Sequence, residues 1–243
     1  MSPIPGRILG RILPGPALTL LKICGVRRPE QAEAIAALGV DAVGVIGVPA
    51  SPRFVAPEHR SELFGAIAAG NRSCRSVLVV ADPDEADLAA IIAGPCPKVL
   101  QLHGHESPTR CGELRSRFGG EVWKALRIRS LEDLEGLEPW AEVVDALLLD
   151  AWAPGRLGGT GRRIPSAWLR DLRCPTPWWL AGGLTPEGVP ALLREVNPHG
   201  LDVSSGVESA PGVKDLAKVE RVLQAVRWRG EPPAASPVRR TPA

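Results

Sequence analysis

Short apolar runs alternate with amphipathic segments along most of this chain, and the alternation repeats eight times. Each apolar run has the length and composition of a buried strand, and each amphipathic segment has those of a helix. Because consecutive parallel strands are joined by right-handed helical crossovers, the repeat predicts strand–helix units in one parallel sheet. The predicted strands cover residues 20–25, 41–47, 75–81, 98–104, 121–127, 145–151, 178–181 and 201–203.

The segments between the strands predict the helices. The first begins at Pro29 and the last covers about 214–228, and a further one opens at Thr185-Pro186-Glu187, where the missing N–H of proline costs nothing. The others cover residues 57–69, 84–93, 107–118, 131–138 and 165–172. The chain has 243 residues, and roughly 250 is typical of one (β/α)8 barrel. We therefore predict an α/β fold, a single (β/α)8 TIM barrel over residues 20–229.

The two ends of the chain differ in composition from the rest. Residues 1–19 carry Pro or Gly every few positions, and Pro14-Gly15-Pro16 interrupts the apolar stretch that a secretory signal would need. Residues 230–243 are rich in proline. We expect both ends to be disordered extensions of the barrel domain.

Composition narrows the class of partner. The net charge is only +2, and no Lys and Arg cluster is interleaved with aromatic residues, so we expect no nucleic-acid partner. No apolar run is long enough to span a bilayer, so we expect no membrane partner. The five cysteines are odd in number and lack metal-ligand spacing, and the four histidines complete no metal set. These features predict reduced thiols in a cytoplasm and no metal site, with a monomer and a homodimer both left open.

Four polar side chains are predicted to meet at one mouth of the barrel. Alternate strand residues point inward, and chemistry in such barrels takes place at the carboxyl ends of the strands. The inward positions at those ends are Cys24, His103, Asp150 and Ser204, each on the face opposite the residues that would meet the helices, although leucines occupy both faces of the sixth strand.

Two glycine-containing turns follow the last two strands. Gly182-Gly183 ends the seventh strand, and Ser205-Gly206 lies in the turn Ser204-Ser205-Gly206 that ends the eighth. Bare backbone N–H groups in adjacent turns suit a dianion such as a phosphate. Either turn alone is also typical of an ordinary strand-to-helix loop, but the last two strands are where a (β/α)8 barrel keeps its phosphate site.

Seven short motifs, in order, span roughly residues 20 to 228. They are KICG (22–25), SPRF (51–54), LQLHG (100–104), LLLD (147–150), GGTG (158–161), AGGLTPEGV (181–189) and DVSSGVESAPGVKD (202–215). Together they resemble the phosphoribosylanthranilate isomerase family, single-domain (β/α)8 enzymes of tryptophan biosynthesis. The chain departs from the family's pattern in two places, GVIGVPASPRF (44–54), where an aromatic-rich run is expected, and Arg162 to Trp168, where Phe-Asp-Trp is expected.

The resemblance implies an Amadori rearrangement of a small-molecule substrate, N-(5-phosphoribosyl)anthranilate, to the open-chain 1-deoxyribulose product, without a metal or cofactor. It further implies that Cys24 is the general base, that Asp150 is the general acid, and that Arg53 binds the anthranilate carboxylate. The paired turns described above would bind the phosphate.

Each assignment has an alternative that the residues alone leave open. Cys24 taken alone resembles a small buried hydrophobic residue, and Arg53 taken alone resembles a solvated surface residue. Asp150 taken alone could be the N-cap of a loop turn. His103 is either a hydrogen-bonded structural histidine or a substrate contact. Asp202 either contacts the substrate, as Ser204 would, or forms an interior ion pair with Lys22.

Two other functions compete with this one. The related isomerase of histidine biosynthesis, or a bifunctional barrel, would carry an aspartate at the end of strand one and a second phosphate turn after strands three and four. In this chain strand one ends in Cys24, and the turns after strands three and four contain no pair of glycines. The other alternative is a catalytically inactive phosphate-ligand-binding barrel, which loss of Cys24 or Asp150 would have favoured.

Overall fold

Eight parallel strands close into a barrel in chain order, and the eighth pairs with the first. This is seen in the computed structural model, which describes residues 19–152 and 163–227. The predicted TIM barrel is confirmed, whereas the predicted extensions, residue 19 excepted, and the GGTG motif lie outside the described residues. The strands are β1 (Leu20–Cys24), β2 (Ala42–Ile46), β3 (Arg75–Val80), β4 (Val99–Leu102), β5 (Glu121–Ile128), β6 (Ala146–Ala151), β7 (Trp178–Ala181) and β8 (Gly200–Val203).

Helices cover the outside of the barrel. Four of them have Pro at the first or second position, and Asp84 and Ser107 cap two of the helix N-termini by accepting backbone N–H bonds. None of the helices described is long and apolar enough to cross a bilayer. The helices are α1 (Pro29–Ala37), α2 (Pro57–Gly70), α3 (Glu85–Ala93), α4 (Pro108–Phe118), α5 (Ser166–Leu169), α6 (Val189–Glu195) and α7 (Leu216–Arg227).

Three helix predictions were wrong in detail, the smallest error being the helix predicted over 165–172, which ends already at Leu169. Residues 131–138 form no α-helix; two short 3-10 turns, Glu132–Leu134 and Glu138–Trp140, replace it. Gly136 and Pro139 explain this, because glycine disfavours a helix interior and proline lacks the N–H that the helix needs. The helix expected to open at Thr185-Pro186-Glu187 begins only at Val189. A start at 185 would place Pro190 beyond the first turn, where its ring would clash with a preceding carbonyl.

A small hairpin after β8 was not predicted. The chain leaves β8 through a 3-10 turn, Ser205–Val207, and then forms the antiparallel pair β9 (Glu208–Ala210) and β10 (Val213–Lys214) before α7 begins. The hairpin strands are only three and two residues long, too short for period-2 alternation to identify them. The hairpin brings Glu208 and Lys214 to the mouth of the barrel.

The barrel interior is closed at the amino-terminal ends of its strands. The rings of Trp123 and Trp179 lie 4.7 Å apart there, and the guanidinium of Arg75 lies 5.4 Å and 5.8 Å from the two ring centres. Along β1, Leu21 packs outward against the helices while Cys24 packs with the interior residues, as the alternation predicts. Access to the interior is therefore from the carboxyl-terminal mouth.

Candidate active site

A cavity of about 580 Å³ occupies the carboxyl-terminal mouth of the barrel. All ten site residues named from the sequence line it. They are Cys24, Arg53, His103, Asp150, Gly182, Gly183, Asp202, Ser204, Ser205 and Gly206. In the described part of the chain, no three His, Cys, Asp or Glu side chains gather in a way that could hold a metal ion.

Cys24 ends β1 and is almost entirely buried. Burial raises the pKa of its thiol above the ordinary value, and the carboxylate of Asp202 adds to this effect. The ammonium groups of Lys22 and Lys214 oppose the rise without cancelling it. The cavity therefore holds a thiol at rest, next to cations that would stabilise its thiolate.

Beneath Cys24, Lys22 is fully buried inside the barrel and held by two oxygen acceptors. Its Nζ donates to Asp202 Oδ1 at 3.0 Å and to Gln101 Oε1 at 2.9 Å. The ion pair foreseen between Lys22 and Asp202 is thus present. Burial alone would lower the pKa of Lys22, but Asp202 and Cys24 outweigh it and raise the pKa. The charged form of Lys22 is consequently the stable one.

The opposite wall carries Asp150 at the end of β6 and His103 just beyond β4. His103 Nε2 lies 3.6 Å from Asp150 Oδ2, and His103 Nδ1 lies 3.2 Å from Gln101 Nε2. Gln101 therefore connects Lys22 below Cys24 to the histidine beside Asp150. Gln101 was not among the residues to which the sequence assigned a role.

The loops after β7 and β8, which carry the two glycine turns, touch each other. Gly182 and Gly183 have positive φ angles of +94° and +59°, which L-residues with side chains rarely adopt. A Cβ on Gly206 would lie 1.8 Å from the carbonyl oxygen of Leu184, so only glycine allows this approach. Hereafter Gly182-Gly183 and Ser205-Gly206 are called the paired turns. Their small residues leave backbone groups open to the cavity.

Arg53, from the loop after β2, is oriented by a carboxylate that sequence reasoning missed. Its Nε and Nη2 donate to Glu208 Oε1 and Oε2 at 2.8 Å and 2.6 Å, forming a fork. Glu208 Oε1 also accepts from Lys214 Nζ at 2.6 Å. Burial alone would raise the pKa of Glu208, but the bonds from Arg53 and Lys214 outweigh it and hold the pKa at about 2. Within the described residues, Arg53 Nη1 has no hydrogen-bond acceptor, so this edge remains free for another carboxylate.

Residues 21–225 match the family model described as N-(5'-phosphoribosyl)anthranilate isomerase. The chain is 44% identical over 209 residues to N-(5'-phosphoribosyl)anthranilate isomerase from Thermosynechococcus vestitus, covering 86% of this chain and 90% of that protein. It also resembles the crystal structure of the Thermus thermophilus enzyme, with a TM-score of 0.72, 34% identity, and coverage of 85% of this chain and 98% of that one.

A second solved structure is phosphoribosyl anthranilate isomerase in complex with reduced 1-(O-carboxyphenylamino)-1-deoxyribulose 5-phosphate. This chain resembles it with a TM-score of 0.73 and 27% identity, and the match covers 86% of this chain and 98% of that one. The family match extends over nearly all of the described barrel, including every strand that contributes to the cavity. The chain therefore belongs to the N-(5'-phosphoribosyl)anthranilate isomerase family.

Proposed function

We propose that this protein converts N-(5'-phosphoribosyl)anthranilate to 1-(2-carboxyphenylamino)-1-deoxyribulose 5-phosphate by general acid–base catalysis. The observation that carries the proposal is the placement of a thiol and a carboxyl group in one cavity, on β1 and β6, beside the paired turns. An Amadori rearrangement of a phosphorylated sugar needs one acid, one base and a phosphate site. The side chains and turns of this cavity supply all three.

Asp150 acts first, as the acid. It transfers a proton to the furanose ring oxygen, the bond between that oxygen and C1 breaks, and the ring opens to a Schiff base. Cys24, as the thiolate, then removes the proton from C2 of the ribose, giving an enolamine that tautomerises to the ketone. Lys22 and Lys214 support this step because their charges favour the thiolate over the thiol.

The two ends of the substrate bind to different walls. The phosphate accepts hydrogen bonds from backbone N–H groups of the paired turns. The anthranilate carboxylate binds the edge of Arg53 that Glu208 leaves free, and the aromatic ring packs on Ile46 and Val48, which line the same cavity. Asp202 and Ser204, which line the same cavity, contact the ribose between these ends. The same proposal places the enzyme in the cytoplasm, with no nucleic-acid or membrane partner, and both a monomer and a homodimer fit it.

The test is the loss of substrate fluorescence when freshly made phosphoribosylanthranilate is mixed with the enzyme. Turnover is expected for the wild type, and Cys24→Ala is expected to lower kcat by ~10²–10⁴-fold while KM stays within about tenfold. Cys111→Ala is a matched control, because Cys111 is a buried thiol on α4 that does not line the cavity. Wild-type inactivity would favour the inactive ligand-binding alternative, and full turnover by Cys24→Ala would refute the role of Cys24.

A further inference from the structure

A chain of three polar contacts runs under the cavity from one wall to the other. Lys22 Nζ donates to Gln101 Oε1 at 2.9 Å, Gln101 Nε2 lies 3.2 Å from His103 Nδ1, and His103 Nε2 lies 3.6 Å from Asp150 Oδ2. All four side chains are buried, with exposed fractions of 0% for Lys22 and 1% for Gln101. Burial makes each polar group depend on its protein neighbours, since an unpaired buried donor or acceptor is costly.

The hydrogen-bond donors and acceptors along this series of contacts can be arranged in only one way. An ammonium group has only donors, so the oxygen of the Gln101 amide must face Lys22 and its NH2 must face His103. An NH2 group has no acceptor to offer, so His103 Nδ1 must accept a hydrogen bond and carry no proton. The ring proton of His103 is then on Nε2. The orientation of the Gln101 amide and the position of the His103 proton both follow from which atoms can donate a hydrogen bond.

The Nε2–H group of His103 points toward the acid. Within the described residues Nε2 is buried and has no hydrogen-bond partner, and Asp150 Oδ2 is the carboxylate oxygen closest to it in an ion-pair geometry. The 3.6 Å separation is longer than a hydrogen bond, but contacts between catalytic groups commonly shorten when substrate binds.

We propose that Lys22 and Gln101 fix His103 as a neutral imidazole protonated on Nε2, and that His103 is the positioning residue for the acid Asp150. This inference rests on the proposed function and deepens it. A protonated carboxyl group has one hydroxyl oxygen and one carbonyl oxygen. Because His103 offers a donor to Oδ2, Oδ2 is the carbonyl oxygen, and the acidic proton is directed to Oδ1. When that proton passes to the furanose oxygen, the new carboxylate accepts the Nε2–H bond more strongly than the neutral acid did.

The arrangement can be measured without activity, by long-range proton–nitrogen NMR of the histidine rings. The chain has four histidines, and a His103→Gln variant identifies the signals of His103 by their loss. We expect Nε2 to appear as a protonated ring nitrogen and Nδ1 as an unprotonated one. A Gln101→Glu variant places a carboxylate against Nδ1 and should protonate that nitrogen. A wild-type ring protonated on Nδ1, singly or doubly, would overturn the inference whatever the enzyme's activity.

Kinetics test the positioning role. His103→Leu removes the donor and should lower kcat by about 10- to 100-fold, the typical value of a hydrogen bond to a charged group, with KM changed only slightly. His103→Gln retains an N–H donor and should recover part of the loss. His105→Gln is the control, because His105 is an exposed histidine two residues away that does not line the cavity; its kcat should be unchanged.

A double variant separates positioning from a general structural effect. If His103 acts through Asp150, then His103→Leu should lower kcat no further in an Asp150→Asn background. A loss of equal size in both backgrounds would overturn the proposal. An inactive wild type with the expected NMR signals would instead contradict the proposed function and leave the arrangement of Lys22, Gln101 and His103 standing.

Discussion

The two walls of the cavity differ in charge. Around Cys24 the neighbours that act on its ionisation are all charged, namely Lys22, Lys214 and Asp202. Around Asp150, among the described residues, His103 is the one basic side chain within 4 Å of the carboxylate. Both walls are buried, so these local charges are weakly screened by solvent.

The difference corresponds to what an acid and a base require. A thiol that must become a thiolate benefits from cations nearby, and Lys22 and Lys214 supply them. A carboxyl group that must donate its proton would be hindered by a cation, because an opposite charge favours the ionised form. A neutral N–H donor assists the carboxyl group without that cost. The charge distribution therefore supports the proposed roles of Cys24 and Asp150 on grounds that are independent of the family's motifs.

Replacing Asp150 should have the largest effect on kcat. It should also make the ionisation of Cys24 visible in the pH dependence of the residual rate. Asp150→Asn is expected to lower kcat by ~10²–10⁴-fold, since no positioned proton donor remains. The residual rate should then follow the thiolate fraction of Cys24 alone. Burial raises the pKa of Cys24, so residual kcat/KM should rise with pH from neutrality to beyond the ordinary thiol value of about 8.5. A pH–rate series on Asp150→Asn checks this; Cys24→Ala in the same background should abolish the rise.

The ion pairs that Glu208 forms with Arg53 and with Lys214, one of the cations near Cys24, should also contribute to stability. Glu208 has a pKa of about 2 in the folded protein against an ordinary value of 4.5, so its stabilising contribution is present above about pH 4.5 and is lost as the pH falls toward 2. Glu208→Gln should lower the free energy of unfolding at pH 7 by at most about 3 kcal/mol. Urea unfolding at pH 7 and at lower pH should show the two proteins converging. A difference that stayed constant with pH would contradict the charge assignment.

A negative charge at the paired turns should impair binding without touching either wall. Gly183→Asp places a carboxylate where the phosphate is proposed to bind, and should raise KM by on the order of 100-fold through like-charge repulsion. Gly183→Asn is the matched control, because asparagine has the same size and also tolerates positive φ. Steady-state kinetics of both variants isolate the charge. Equal KM values for Gly183→Asp and Gly183→Asn would contradict the proposal that the phosphate binds at this turn.

The smallest effect is expected at the carboxylate end of the substrate, where Arg53 is proposed to bind. Arg53→Lys keeps a charge but loses the fork, and should raise KM by roughly tenfold with kcat little changed. Arg53→Ala should raise KM further. A substrate analogue that lacks the anthranilate carboxylate should show no such penalty. If the analogue were turned over by the wild type as well as the natural substrate is, Arg53 would not be the carboxylate site.

The sequence predicted the strands well because their positions depend on local pattern. Every strand is confirmed within about two residues, and the alternation correctly placed Cys24 inside and Leu21 outside. The helix predicted over 131–138 failed because Gly136 and Pro139 outweighed the amphipathic pattern. These errors lie in the connections, where a single Gly or Pro decides the conformation.

The partners of the site residues could not be predicted in the same way. Arg53 and Glu208 are 155 residues apart, and Lys22 and Gln101 are 79 apart. Periodicity tells which face of a strand a residue occupies, but not which residue of another element its polar atoms reach. Glu208 also lies on a three-residue strand that carries no periodic signal. The signal available in advance was its place inside the last motif, next to the predicted phosphate turn.

The contact between Gly206 and the Leu184 carbonyl has a consequence for engineering this barrel. Loops of (β/α)8 enzymes are usually treated as exchangeable modules on a fixed scaffold. Here the β7 and β8 loops interlock, because any side chain at position 206 would overlap the backbone of the neighbouring loop. A chimera that takes only one of these loops from another enzyme must keep the close approach between position 206 and the Leu184 carbonyl, or the two loops must move apart. The two loops therefore have to be exchanged together, and a redesign of substrate specificity would have to change both.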